Sequence, residues 1–509
     1  MVSAEPSSAE QSFPQLEVAT DPELMREVFQ RHLRPLGKKA YQVRECRISY
    51  TYYQQALHYQ QALDRYTLQY TLRLVEPGTG HERSQLVNCV MHAGGRTRQT
   101  WEKLRQSDPR LKAPDASPAF APFRWVSEKL LRRSEPGGEA PGASPAFAPF
   151  YYIPELEMLV QVFPFDHRLP ALPLLMAGLP PELEPQILAQ FGPGDWRVEA
   201  WDVQPVRYLP ETRATLLLTA RARDAATGRA EERRFYGKVY NTEKGEQTYR
   251  VLRALWDTAA AEGGVGFAVG KPVAYLSDLR TLIQEETPGT SLKDILLQED
   301  ELIPVVRRVA RDLATLHLAH ADTPRRYRLH DELPILKKIG KRLQQACPHL
   351  SPQIEEIVST VVDGLEEVPP APTHGDLKPV HILVDGDRLA LIDFDDFAGA
   401  DPVRDVARML VFMLKTVPPR PYLSHDDLAS LGNDRASLSQ DRPRAVTQAF
   451  AEEYFALVPE AWRARLPLRY AGAALKLAGG SLRRQHPGWT DSVEALVEEA
   501  RASVAGKVW

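Results

Sequence analysis

Cysteine is scarce: Cys46, Cys89 and Cys347 are the only three in 509 residues, and they lie far apart. That spacing gives no disulfide framework and no thiolate metal cluster, and it suits a reducing cytoplasm. Charge of one sign is not in excess. The formal net charge is −4, so nothing marks the chain as a nonspecific nucleic-acid binder. No run of about 18 apolar residues occurs, so no membrane span is expected. The opening MVSAEPSSAEQSFPQ lacks the apolar segment of a signal peptide. A cytoplasmic location is the expectation. The composition, 43% hydrophobic and 26% charged, is that of a globular protein long enough for roughly two to four domains.

The most informative stretch is Thr373–Leu410, THGDLKPVHILVDGDRLALIDFDDFAGADPVRDVARML. Ile382–Val384 and Leu389–Ile392 read as strands, with Asp385-Gly386 as the tight turn between them. Such a hairpin brings Asp376 and Asp393 to one end of the ribbon. Two carboxylates there, with basic and imidazole groups between them, suit phosphoryl transfer: one orients a hydroxyl and the other holds a metal on ATP.

These motifs resemble the aminoglycoside phosphotransferase and choline kinase group, small-molecule kinases that share the protein-kinase fold. His374-Gly375-Asp376 is similar to that family's catalytic loop, and Ile392-Asp393-Phe394-Asp395 to its metal-binding motif. Gly399–Asp405 is similar to the following G-D-P-x-x-D, with Ala400 inserted. The resemblance implies ATP and Mg²⁺ as cofactors and a hydroxyl-bearing small molecule as acceptor; charge and hydropathy lead to the expectation of no nucleic-acid or membrane partner. It casts Asp376 as the residue that accepts the hydroxyl proton and Asp393 as the metal ligand. Lys378 would touch the transferred phosphate, an exposed turn lysine being the competing reading, and His374 would brace the loop. One departure touches the chemistry. His381 stands where the family has a metal-binding Asn. Imidazole nitrogen suits Mn²⁺ or Zn²⁺ better than Mg²⁺, and activity is then expected to fall as pH drops through the ordinary His pKa of about 6.5.

The rest of the chain is organised around an internal repeat. The segment from Tyr66 matches the segment from Ala214 without gaps, and YIPELEMLVQ at Tyr152 matches YLSDLRTLIQ at Tyr275. The second copy resembles a kinase N-lobe, with Lys238 as the phosphate-binding lysine and Glu246, or Glu243, as its ion-pair partner. The turn Leu209–Ala214 has no glycine, so the amides of Thr212 and Arg213, with the Arg213 charge, are the candidates for holding phosphate. Leu282–Gly289 resembles the hinge strand, where adenine would bond the backbone near Glu285 and Glu286.

The expected fold is α+β. It is a bilobal protein-kinase-like fold with a β-rich N-lobe (191–289) and a helical C-lobe (290–509), preceded by an N-lobe-like cap (20–190). Residues 1–19 are expected to be disordered. A Pro/Ala-rich insertion, 106–150, carries the octapeptide ASPAFAPF twice and is expected to be solvated. Asp21-Pro22 should open a helix with Leu24, Val28 and Phe29 inward, Tyr151–Phe163 should form one strand, and Pro418–Arg444 should be irregular. In the first copy Val90 falls where the second has Lys238, so the cap should bind no nucleotide. Two further functions stay open beside an aminoglycoside or amino-alcohol kinase: a maltokinase-like sugar kinase, whose relatives also carry a cap, and a nucleotide-binding pseudokinase.

Overall fold

The computed structural model describes residues 12–36, 39–54, 64–107, 145–262, 266–319, 323, 325–418, 435–485 and 487–508. They fall into two compact units. One holds the chain up to Glu243 with Ala274–Ile283 and Leu482–Trp489, and the other holds Lys244–Val273, Gln284–Ser481 and the remainder.

In the first unit, Asp21 caps helix α1 (Pro22–His32) by accepting from the amides of Glu23 and Leu24, and Pro22 fits the first turn. The inward stripe is Met25, Val28 and Phe29. Leu24, expected inside, is 43% exposed, because spacing from Met25 puts it off the buried face. Residues 12–19 are not disordered as expected. Phe13, Leu16 and Ala19 recur every third residue, form one apolar side and are buried in the core.

α1 packs on an antiparallel sheet of β1 (Gln42–Gln54), β2 (Arg65–Val75), β3 (Glu82–His92), β4 (Phe150–Ile153) and β5 (Met158–Val162), in the order β1-β2-β3-β5-β4. Helix α2 (Arg96–Ser107) follows β3. The expected single strand over Tyr151–Phe163 is two, because Pro154–Leu156 forms a tight turn and Glu157 takes a left-handed φ of 44°. The first octapeptide copy lies outside the described residues. Most of the second does not, and it is not solvated: Ala146 and Phe147 sit in the core, and the Ala146 amide donates to Gln85 Oε1 at 2.8 Å.

The second sheet of this unit comprises β6 (Trp196–Leu209), β7 (Arg213–Asp224), β8 (Ala230–Tyr240) and, beyond the two-residue strand β9 (Ala268–Val269), β10 (Pro272–Leu276) and β11 (Thr281–Glu285). Its order, β6-β7-β8-β11-β10, repeats that of the first sheet. The register repeats as well. Thr67 faces Val90 and Thr215 faces Lys238, and 215 − 67 and 238 − 90 are both 148.

A buried polar cluster ties the turn between β6 and β7 to the segment after β5. Asp166 accepts from the Glu211 amide at 2.6 Å and from the Tyr208 hydroxyl at 2.8 Å. Glu211 in turn accepts from Gln161 and pairs with Arg65 at 3.0 Å. Asp166→Ala leaves two buried donors without an acceptor, so it should cost about 2–3 kcal/mol. A urea midpoint equal to wild type would contradict this.

The second unit is mostly helical: α3 (Lys244–Glu262), α4 (Leu292–Gln298), α5 (Ile303–Leu318), α6 (Leu329–Ala346), α7 (Ser351–Gly364), α8 (Val403–Thr416), α9 (Arg435–Phe455), α10 (Leu466–Arg484) and α11 (Trp489–Val504), the last two sharing residues with the first unit. Helix α9 begins inside the stretch expected to be irregular and carries Pro443 within it. Between the helices, β12 (Thr290–Ser291), β14 (Ile382–Asp385) and β15 (Arg388–Leu391) join β9 in a small sheet, and β13 (Ala371–Thr373) pairs with β16 (Ala398–Ala400).

Candidate active site

The β14–β15 ribbon sets the site. Asp385 faces Arg388, so the turn residues are Gly386 and Asp387, one position later than expected. Gly386 supplies the required positive φ of 55°. At the other end of the ribbon the chain enters through Asp376 and leaves through Asp393. One ligand atom from each of Asp376, His381 and Asp393 lies within 4.8 Å of the others. Asp393 holds a left-handed φ of 69°, which an Asp tolerates better than most residues. Gly375 also has positive φ, and a Cβ there would meet the Asp396 carbonyl oxygen at 2.2 Å, so this loop requires glycine at this position.

Asp405, at the start of α8, fixes the loop. Its carboxylate accepts from the His374 amide at 2.6 Å and the Gly375 amide at 3.0 Å. His317 Nε2 lies 3.4 Å from the same carboxylate, and the Tyr454 hydroxyl donates to His317 Nδ1 at 2.7 Å. The His374 ring braces the loop from within. Its Nε2 donates to the Ile392 carbonyl at 2.9 Å, which leaves Nδ1 to accept from the Asp376 amide at 3.3 Å.

Asp376 is gripped on both oxygens. Lys378 Nζ lies 2.9 Å from Oδ2, and Arg408 Nη2 donates to Oδ1. Burial pushes the carboxyl up, but Arg408, Lys378 and His381 overcome it and hold the group down at about 2. Arg408 did not emerge from the sequence. The available signal was helical phase: it lies three residues after Asp405, on the same side of α8. Its buried Nε has no hydrogen-bond partner.

His381 Nδ1 lies 3.1 Å from the Asp376 carbonyl oxygen, which can only accept, so Nδ1 carries the proton. The lone pair on Nε2 then faces Asp393 Oδ2 at 3.3 Å. Two acceptors turned toward each other fit a shared cation, and an N,O,O donor set favours Mn²⁺ or Zn²⁺ over Mg²⁺. Burial above all, with His374 and Lys378, lowers His381 to about 3 against the pull of Asp393 and Asp376. The imidazole is therefore neutral at the pH where an acidic limb was expected, and it should not produce that limb.

The depressed value has a consequence for stability instead. The unfolded chain takes up a proton below about pH 6.5 while folded His381 does not. Its contribution is present above that pH and is lost as pH falls toward 3, at up to about 1.4 kcal/mol per pH unit. His381→Asn should flatten the decline of the melting temperature between pH 6.5 and 4.5. Equal slopes in mutant and wild type would contradict the assignment.

The neighbouring carboxylates Asp395 and Asp396 and the remaining expected residues are placed as follows. Asp395 accepts from Thr248 at 3.3 Å and Asp396 from Lys244 at 2.9 Å, so both tie the loop to α3 and stand outside the three-residue cation constellation. Glu246 accepts from Arg250 at 2.5 Å, and Glu243 from Arg280 at 2.8 Å. The Glu285 amide donates to the Lys271 carbonyl at 2.9 Å, so it is not open to adenine; Glu286 follows that strand. In the first unit, Lys238 Nζ lies 5.5 Å over the Tyr240 ring. The Thr212 amide donates to the Leu209 carbonyl at 3.1 Å, and Arg213 faces Tyr240 within the sheet. The Thr212 amide is thus committed to its own turn, which removes one of the phosphate donors expected there.

Residues 220–439 match a family model described as the phosphotransferase enzyme family, a span that includes the whole constellation from His374 to Arg408. Among solved structures the chain is similar to a thermostable mutant of aminoglycoside phosphotransferase APH(4)-Ia, at 16% identity, covering 64% of this chain and 98% of that one, with a TM-score of 0.39. It is similar to a choline kinase from Cryptosporidium parvum Iowa II at 11% identity, over 60% of this chain and 89% of that one, TM-score 0.39. A choline/ethanolamine kinase family protein from Mesorhizobium loti is 14% identical over 59% and 87%, TM-score 0.38. No curated protein matches the sequence. The family found is the one the H-G-D and I-D-F-D motifs resemble, and the fold is mixed α+β with a further sheet ahead of the matched region.

Proposed function

We propose that this chain is an ATP-dependent phosphotransferase that moves the γ-phosphoryl group to a hydroxyl of a small molecule, an aminoglycoside or amino alcohol being the acceptor class implied by resemblance. The observation that carries the reading is the meeting of Asp376, His381 and Asp393 at one end of the ribbon, with two cations on Asp376. Asp376, kept ionised by Arg408 and Lys378, orients the hydroxyl and takes its proton as the new O–P bond forms. Lys378 can turn from the carboxylate to the transferred phosphate. Asp393 and His381 would hold a divalent cation, which when bound neutralises phosphate charge. Lys238 is the proposed cation for the nucleotide phosphates. The sheet that carries Val90 at the matching register has no such cation there, which supports a cap that binds no nucleotide.

The test is ADP release with ATP, Mg²⁺ or Mn²⁺, and a panel of aminoglycosides, amino alcohols and sugars including maltose. Turnover with one acceptor class, lost in Asp393→Asn, is the expected result. Nucleotide binding without turnover on any acceptor or metal would favour the pseudokinase reading.

A further inference from the structure

A cavity of about 300 Å³ opens in the second unit, and none of the constellation residues lines it. Its floor is a buried ion network. Glu332 accepts from Arg469 at 2.7 Å, from Arg404 and from Lys476, and Asp401 accepts from Arg469 at 2.9 Å and from Arg465 at 3.0 Å. Arg404 is held flat, its guanidinium carbon 4.1 Å from the centre of the Tyr327 ring. Arg326 and Arg328 stand exposed at the cavity and make no ion pair among the described residues. The third carboxylate, Glu367, accepts from the Leu329 amide at 2.9 Å.

The charges do not cancel. Four arginines line the cavity (Arg326, Arg328, Arg404 and Arg469) against three carboxylates, and Arg465 and Lys476, which do not line it, also pair with two of those carboxylates. The two central carboxylates are already shared among four of those cations, so the excess positive charge lies at the wall and the mouth. A stacked guanidinium with its outer N–H groups unspent is preorganised for a planar or tetrahedral oxyanion. Val368, Pro370 and Leu329 give the cavity an apolar side as well. Its volume is at the small end for organic ligands.

We propose that this cavity binds a small organic oxyanion of sugar size through a phosphate or carboxylate group, with Arg404 facing the anion and Arg326 and Arg328 drawing it in. The site does not depend on the proposed phosphotransfer, because it is read by binding in the absence of nucleotide.

The test is calorimetric titration of the full chain with a hexose monophosphate, the corresponding hexuronic acid and the neutral hexose. Saturable binding of one or both anionic probes, weakened by added salt, is expected, with none for the neutral sugar. Preference between the two anions tells phosphate from carboxylate. Arg326→Gln/Arg328→Gln, both exposed, should raise Kd at least ~10-fold, and Arg404→Gln should do the same if it folds. The proposal is overturned if no anionic probe binds, if the neutral hexose binds equally well, or if binding survives the double substitution. Binding that is lost in Lys378→Ala but kept in the double variant also overturns it, by placing the anion at the catalytic loop.

Discussion

Asp376→Asn is expected to bind ATP as wild type does and to turn over at least ~10²-fold more slowly, the usual scale for a positioned base. The substitution keeps the shape of the side chain and removes its charge and its basicity. Two cations then lose their shared counterion, Lys378 at 2.9 Å and Arg408 on the other oxygen. A thermal melt measured beside the kinetics separates that structural effect from the chemical one. A variant with an unchanged melt and a collapsed rate supports the assigned role. Turnover close to wild type rules it out, whatever the melt shows.

The second large effect is expected at Asp405. Its carboxylate is fully buried, accepts from the His374 and Gly375 amides and faces His317. Burial alone would raise its pKa, yet His317, His374 and Arg404 bring it below the ordinary value. Asp405→Ala orphans two buried N–H groups and an imidazole at once, so about 3–5 kcal/mol of stability should go, together with turnover. Asp405→Asn keeps one acceptor oxygen and should fall between the two, with its nucleotide affinity preserved. A stable, active alanine variant would show that the loop is held by its strands and by His374 alone.

The parts legible in the sequence were those set by local chemistry. The Gly-bearing turn, the H-G-D loop and the I-D-F-D loop each announce themselves within a few residues, so the meeting of Asp376 with Asp393 could be read directly. The 148-residue repeat was legible because strand periodicity survives divergence, and the two sheets share order and register. The parts missed were set by distant partners. Phe147 reads as part of a Pro/Ala-rich insertion, and its place in the core depends on distant partners such as Tyr41, at 5.9 Å. Phe13 likewise needs Tyr66. The amide of Thr212 looked available until the turn closed on Leu209. Arg408 needed the phase of α8, and Glu332 needed three cations up to 144 positions away.

The make-up of the first unit has a bearing on how the chain acquires its shape while it is being synthesised. Residues 482–489, from the end of α10 to the start of α11, belong with the N-terminal sheet. Thr51 donates to the Arg484 carbonyl at 2.6 Å, and Tyr66 donates to Gln485 at 3.2 Å. These contacts join residues more than 400 positions apart. The β1–β5 sheet, synthesised before that segment, must therefore wait, with part of its surface uncovered, until residues 482–489 emerge. Vectorial folding from the N-terminus cannot complete this unit. A nascent chain stalled before Leu482 should remain protease-sensitive around β1 and β2, and release of the final turn of α10 should protect them.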